Sequence, residues 1–188
     1  MKKIIIAFTF LLSTIVVVGQ NRVYTKNGKV KFDATTASSP EVVAAINSQA
    51  TSVIDLGTGA MQFAILMKSF LFEKALMQEH FNENYVESDK FPKSEFKGSI
   101  VNMKDVVLEK DGTYNVTVKG KLTIHGVTKD VETNGTLTVK GGTIVAGKSE
   151  FVVLLSDYNI AVPGLVKDKL DKQARITIDM NYEPLKTS

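Results

Sequence analysis

The 188-residue chain contains no cysteine. No disulfide can staple it, no thiol can serve as nucleophile or metal ligand, and its core must come from buried apolar surface, for which one domain of this length suffices. Tryptophan is absent as well, and there are only two histidines. His80 and His125 lie far apart, and neither has a second metal-type ligand at helical or hairpin spacing. Glu79, His80 and Glu83 could share part of a helix side, but a solvated helix face explains them more simply. No glycine-framed serine elbow is present. The sequence therefore points to neither a catalytic set nor a bound metal or cofactor, and predicts no enzyme.

Charge of one sign is also scarce. The formal net charge is +3, and the 23 basic residues fall to 21 without Lys2 and Lys3, against 20 acidic ones. They are scattered rather than striped, which excludes a nucleic-acid footprint. Repeats, low-complexity tracts and a domain linker are missing. The one long apolar run is Ile4 to Val18, behind Lys2 and Lys3 and ahead of Gly19. About 15 apolar residues fall short of the roughly 20 that span a bilayer, so residues 1–19 read as a secretory signal peptide. No cysteine follows Gly19 to carry a lipid. The expected product is a soluble domain over residues 20–188, periplasmic or secreted, without stable membrane insertion.

What is present is period-two alternation. Tyr114, Val116, Val118, Leu122 and Ile124 alternate with polar neighbours. So do Val30, Phe32 and Ala34, and again Ala174, Ile176, Ile178, Met180 and Tyr182, as in half-buried strands. Asn27-Gly28, Gly57-Thr58-Gly59, Asp111-Gly112 and Gly141-Gly142 are read as hairpin turns between such runs. The fold expected is all-β: about eight antiparallel strands, closing more economically as a barrel than as a sandwich. One or two short helices interrupt it. The first is read in the segment from Ser69 to Ser88, where Phe72, Leu76 and His80 are spaced by four; the second is Val162 to Lys172.

Gly142 to Ser149, GTIVAGKS, imitates a phosphate-cradling loop, but strand-forming EFVVLLSDY follows where a helix would be needed. A hairpin with a bulge fits better. In KLTIHGVTKDVE, Lys121 to Glu132, His125 and Gly126 stand between two strand-like runs. Gly126 permits a bulge or sharp bend, and His125 is read as structural, hydrogen-bonded to irregular backbone beside it.

LTIHGVTKDV strongly resembles the signature of the YceI-like, polyisoprenoid-binding family, and MQEHFNENYVESDKFPKSEFKG is similar to its second block. The similarity runs from about Lys29 to Tyr182 and is nearest to short secreted Bacteroidetes-type members. The chain departs from better-known members in having Phe72-Glu73-Lys74 where an arginine-aspartate pair often precedes the helix. The resemblance implies a lipocalin-like barrel holding a long apolar chain, of isoprenoid, fatty-acid or amide type, for transport or storage.

Small residues on apolar faces, namely Ser48, Ala50 and Ser52 beside Ile46 and Ile54, with Gly120 and Gly135, independently suggest a hollow interior. The residues expected to meet such a ligand are Ala50, Ile54, Phe63, Ile65, Phe96, Val116, Val118, Ile176 and Ile178 from strands. Phe70, Phe72, Leu76, Met77 and Phe81 would join them from the helical segment, packed across or beside the opening. A small interaction module with a solid core is the competing reading, and a homodimer is compatible with either.

Overall fold

The computed structural model describes residues 21–164 and 169–185. The leader and the middle of the second helical candidate, residues 165–168, lie outside the described residues. The described residues form ten strands: β1 (Arg22–Thr35), β2 (Ala44–Asp55), β3 (Ala60–Leu66), β4 (Leu71–Phe72), β5 (Lys93–Ile100), β6 (Gly112–Ile124), β7 (Val127–Lys140), β8 (Thr143–Leu154), β9 (Leu170–Asn181) and β10 (Glu183–Pro184). Every pairing is antiparallel. Eight strands run in the order β1-β9-β8-β7-β6-β5-β3-β2, and β1 pairs with β2 to close a barrel. The short β4 and β10 are appended to β2 and β1.

The alternating runs become wall strands as expected. Val30 and Ala34 of β1, Val116 and Leu122 of β6, and Ala174 and Met180 of β9 are buried, while the polar residues between them face out. Two turn assignments differ. Asn27-Gly28 lies inside β1, not between strands. Glycine leaves room there for the Met180 side chain, whose sulfur would stand 2.0 Å from a Cβ at this position. Asp111-Gly112 opens β6, but the link from β5 spans residues 101–111, with a 3₁₀ turn at Met103–Asp105.

The β1–β2 register shifts around Gly28, where Ala50 pairs with Gly28 and Asn47 with Val30. Ser48 and Gln49 of β2 together stand opposite the single β1 residue Lys29, a bulge with one extra residue. Buried Asn47 fixes it, its side-chain oxygen accepting the Gln49 N–H at 2.8 Å while its amide donates to the Leu66 carbonyl at 3.0 Å. The bulge reverses the face of everything before it: Ile46 and Ser48, expected inside, are exposed, whereas Ala50, Ser52 and Ile54 are buried.

The helical segment is shorter than its spacing suggests. Phe72 belongs to β4, paired with Ala45; helix α1 covers Ala75–His80, and a π-helical turn, Phe81–Tyr85, continues it. Of the second helical candidate, Leu170 to Lys172 open β9. Gly142 to Ser149 forms the end of a two-residue hairpin turn and the start of β8, with one register shift near Val145. His125-Gly126 is the other such turn, joining β6 to β7 with φ of 50° and 74°. Positive φ at both central positions suits a type I′ turn, and a Cβ on Gly126 would meet the Phe91 ring at 2.5 Å.

β7 and β8 are paired over only part of their length. Pairing runs from Gly135–Ser149 to Lys140–Thr143. Among the described residues, no strand pairs with 127–134 of β7 or with 150–154 of β8 across this seam.

Candidate ligand cavity

The barrel is hollow. A cavity of about 680 Å³ occupies its interior, within the roughly 300–1,000 Å³ usual for small-molecule sites. One end is filled: Val23, Leu56, Val106, Val139 and Ile144 are buried there and do not border the cavity. Above them the lining is mostly aliphatic and aromatic, with charged and polar residues at the helix-end rim and along the β7 and β8 edges. Along β6 the inward positions Val116 to Ile124 span eight residue steps, which at about 3.3 Å per residue and a strand tilt near 40° give a depth of roughly 20 Å. Long hydrocarbon chains have this scale.

Deep in the cavity Tyr182 returns from the end of β9 and shares a hydrogen bond of 3.0 Å with Ser52 of β2. Both are buried, and burial pushes the Tyr182 phenol up to about 12. At the helix end four phenylalanines meet: Phe32 from β1, Phe70 after the 3₁₀ turn Met67–Ser69, Phe72 from β4 and Phe81 from the π-helical turn. Their centroids are 5.0 to 6.5 Å apart in tilted or edge-on contacts, a favourable geometry for aromatic pairs. Leu76 and Met77 of α1 border the cavity outside this cluster, Leu76 being 62% exposed. The rim there is charged. Lys74 hydrogen-bonds Glu41, and Lys169 approaches the same carboxylate at 3.7 Å. The Lys74 ammonium holds the Glu41 carboxyl below the usual range.

Of the residues expected from sequence, Ile54, Phe63, Ile65, Phe70, Phe72, Leu76, Met77, Phe81, Phe96, Val116, Val118, Ile176 and Ile178 all border the cavity. Ala50 does not: it is fully buried opposite Gly28, in wall packing. The space left by Gly120 is also used. Gly120 faces Gly98, and the tip of the Phe96 ring lies against both, as a Cβ on either glycine would be within 2.7 Å of it. Phe32, Phe151, Tyr158 and Tyr182 border the cavity without having been singled out. Phe32 and Tyr182 already stood on inward faces by alternation, whereas Tyr158 arrives through the 3₁₀ turn Leu155–Tyr158, which no periodicity signals.

His125 lies at the helix end, beside the cavity. Its Nδ1 is 3.0 Å from the Tyr158 carbonyl oxygen, so Nδ1–H donates there, and its Nε2 is 2.6 Å from a Glu87 carboxylate oxygen. The Phe91 ring stacks edge-on against it at 4.5 Å. The histidine thus holds two distant segments together, beyond the local backbone contact expected. Among the described residues, no three His, Asp or Glu side chains converge as a metal site would require. No described helix is long and apolar enough to cross a membrane.

Residues 18–182 match the family model described as YceI-like domain. Among solved structures, the chain is similar to a polyisoprenoid binding domain from Saccharophagus degradans implicated in plant cell wall breakdown, with TM-score 0.72 and 11% identity over 88% of this chain and 99% of that one. It is similar to Burkholderia cenocepacia BcnA, with TM-score 0.62 and 16% identity over 80% and 94%. A Campylobacter jejuni YCEI protein follows at TM-score 0.51 and 16% identity over 74% and 81%. At such identities these likenesses establish the barrel fold. No curated protein matches the chain in sequence.

Proposed function

The chain belongs to the YceI-like domain family, and from that premise we propose that it is a binding protein holding a long-chain apolar ligand of isoprenoid, fatty-acid or amide type inside the barrel, for transport or storage. The observation that carries the reading is the 680 Å³ cavity bordered by aliphatic and aromatic side chains. A void of that character offers little to a polar solute and much to a hydrocarbon chain, since each methylene moved out of water gains about 0.8 kcal/mol. The polyisoprenoid-binding description of the Saccharophagus degradans relative supports the same ligand class. A solid-cored interaction module is disfavoured by the hollow interior.

The proposal includes export to the periplasm or beyond, supported by the basic start and apolar run of residues 1–19, and the Bacteroidetes-type affinity of the two motifs. Native mass spectrometry of gently purified protein, followed by lipid extraction, tests the binding role. A stoichiometric co-purified chain is the expected result. An empty protein that also fails to take up fatty-acid and isoprenoid probes refutes it. The mass of the chain recovered from cell fractions tests the export.

A further inference from the structure

The unpaired seam between β7 and β8 is a window in the barrel wall. Its lower edge is the Gly135–Ser149 pair, and its upper edge is the hydrogen bond from His125 to the Tyr158 carbonyl. Where a wall is intact, inward residues border the interior and outward ones do not. Along the seam both kinds border the cavity: Lys129 through Thr133 on β7, and Phe151 through Leu154 on β8. Among the described residues nothing fills the gap between these two stretches, and the cavity reaches the outside here.

Lys129 stands in this window. Cross-strand partners share a face, and Lys129 pairs with buried Leu122, as Val131 pairs with Gly120 and Thr133 with Val118. Its side chain accordingly belongs to the inner face, at the window's edge. On the outer face of the same strand pair, Lys119 meets Glu132 and Lys121 meets Asp130, each at 2.9 Å. Lys129 has no hydrogen bond or ion pair among the described residues. The cations at the helix end differ, since Lys74 and Lys169 already share Glu41.

The strand edge adds donors. In a two-residue hairpin Ile124 and Val127 exchange both backbone hydrogen bonds, so Thr128, Asp130 and Glu132 turn their N–H and C=O groups toward the seam. The Asn134 carbonyl, next in that series, accepts the Ser149 hydroxyl at 2.7 Å. An ammonium and backbone N–H groups that have no partner among the described residues, at the exit of a mainly apolar cavity, suit one kind of molecule. It has a hydrocarbon tail and a single anionic head, carboxylate or phosphate, that stays in water while the tail is buried; drawing that charge inside would be costly.

We propose that the β7–β8 window seats the anionic head group of the bound amphiphile, with Lys129 as its counter-charge. This rests on the binding reading above. The test titrates delipidated protein with a fluorescent polyene fatty acid, with the alcohol of the same chain, and with an alkyl phosphate of similar length that competes for the site. Lys129→Ala should weaken the acid roughly tenfold, as expected for loss of a charge-assisted contact, and leave the alcohol unchanged. Lys129→Glu should weaken the acid further, Lys129→Arg should retain it, and added salt should weaken acid binding to the parent but not to Lys129→Ala. Competition by the alkyl phosphate tells which anion is preferred. If acid and alcohol bind the parent yet respond alike to every Lys129 variant, the head group lies elsewhere and the inference is wrong, with the binding role intact. If neither probe binds the parent, both readings fall together.

Discussion

Tyr182 should make the stability of the delipidated barrel depend on pH in the alkaline range, and removing its hydroxyl should reverse sign with pH. The phenol is buried beside Ser52, and burial pushes it up to about 12 from about 10 when exposed. Below pH 10 both folded and unfolded chains keep the proton, so the full stability is present. Between about 10 and 12 the unfolded chain releases it first, and stability falls by about 1.4 kcal/mol per pH unit, roughly 2.7 kcal/mol in all. Tyr182→Phe lacks this loss but leaves the Ser52 hydroxyl unpaired in a dry site, at a cost of about 1 to 2 kcal/mol. The variant should therefore be less stable than the parent at pH 8 and more stable at pH 12. Adding Ser52→Ala should recover most of the deficit at pH 8, because both partners are then gone. Urea unfolding followed by far-UV circular dichroism at a series of pH values measures this, the chain having no tryptophan. Tyr85 and Tyr158, also raised by burial, contribute equally to parent and variant. Parallel pH profiles would refute the reasoning and mean that water reaches the Tyr182 hydroxyl.

Ala50→Trp should destabilise by about 1 to 3 kcal/mol or more through overpacking, because the site is wall packing against Gly28. Thr51→Trp, on the outer face, should stay within about 0.5 kcal/mol of the parent; equal chemical denaturation curves for the two would contradict the placement of Ala50. His125→Asn should cost on the order of 1 kcal/mol through the lost contacts with Tyr158 and Glu87. Asparagine tolerates the positive φ at that position, so hydrogen exchange should rise in Leu155–Tyr158 and around Glu87 rather than in the β6–β7 turn. Exchange that rises in the turn alone would reject the tie.

Most of the barrel is legible in the sequence because a wall with one wet and one dry face writes its period into β1, β6 and β9. The cavity residues follow from that alternation, which is why Val116, Val118, Ile176 and Ile178 border it. What stays hidden is set by distant neighbours. Asn27-Gly28 has turn chemistry, yet the glycine is there for the Met180 side chain, far away along the chain. Ile46 and Ser48 continue an unbroken alternation, and only the bulge fixed by Asn47 turns them out. Phe72 has helical spacing but is claimed by pairing with Ala45. The window is least legible of all, since a missing pairing leaves no mark in either strand. Lys129 looks like any polar residue in an alternating run.

The strand that closes the barrel is also the last of the eight to be made. Val30 pairs with Ile178, so β1 must hold one edge open while nearly the whole chain is added, and only then does β9 arrive. A loop of about 150 residues is between two and three doublings longer than one of about 25 residues, and each doubling adds about 0.6 kcal/mol of closure entropy. Completing the ring is thus an uphill search that no nearby hairpin can shorten, and folding should be slow for a domain of this size. Until it finishes, β1 and β8 each expose a bare row of hydrogen-bonding groups able to recruit a second chain. The mature ring spends its stability guarding that seam, and substitutions that weaken β9 should raise aggregation during refolding before they alter the folded protein.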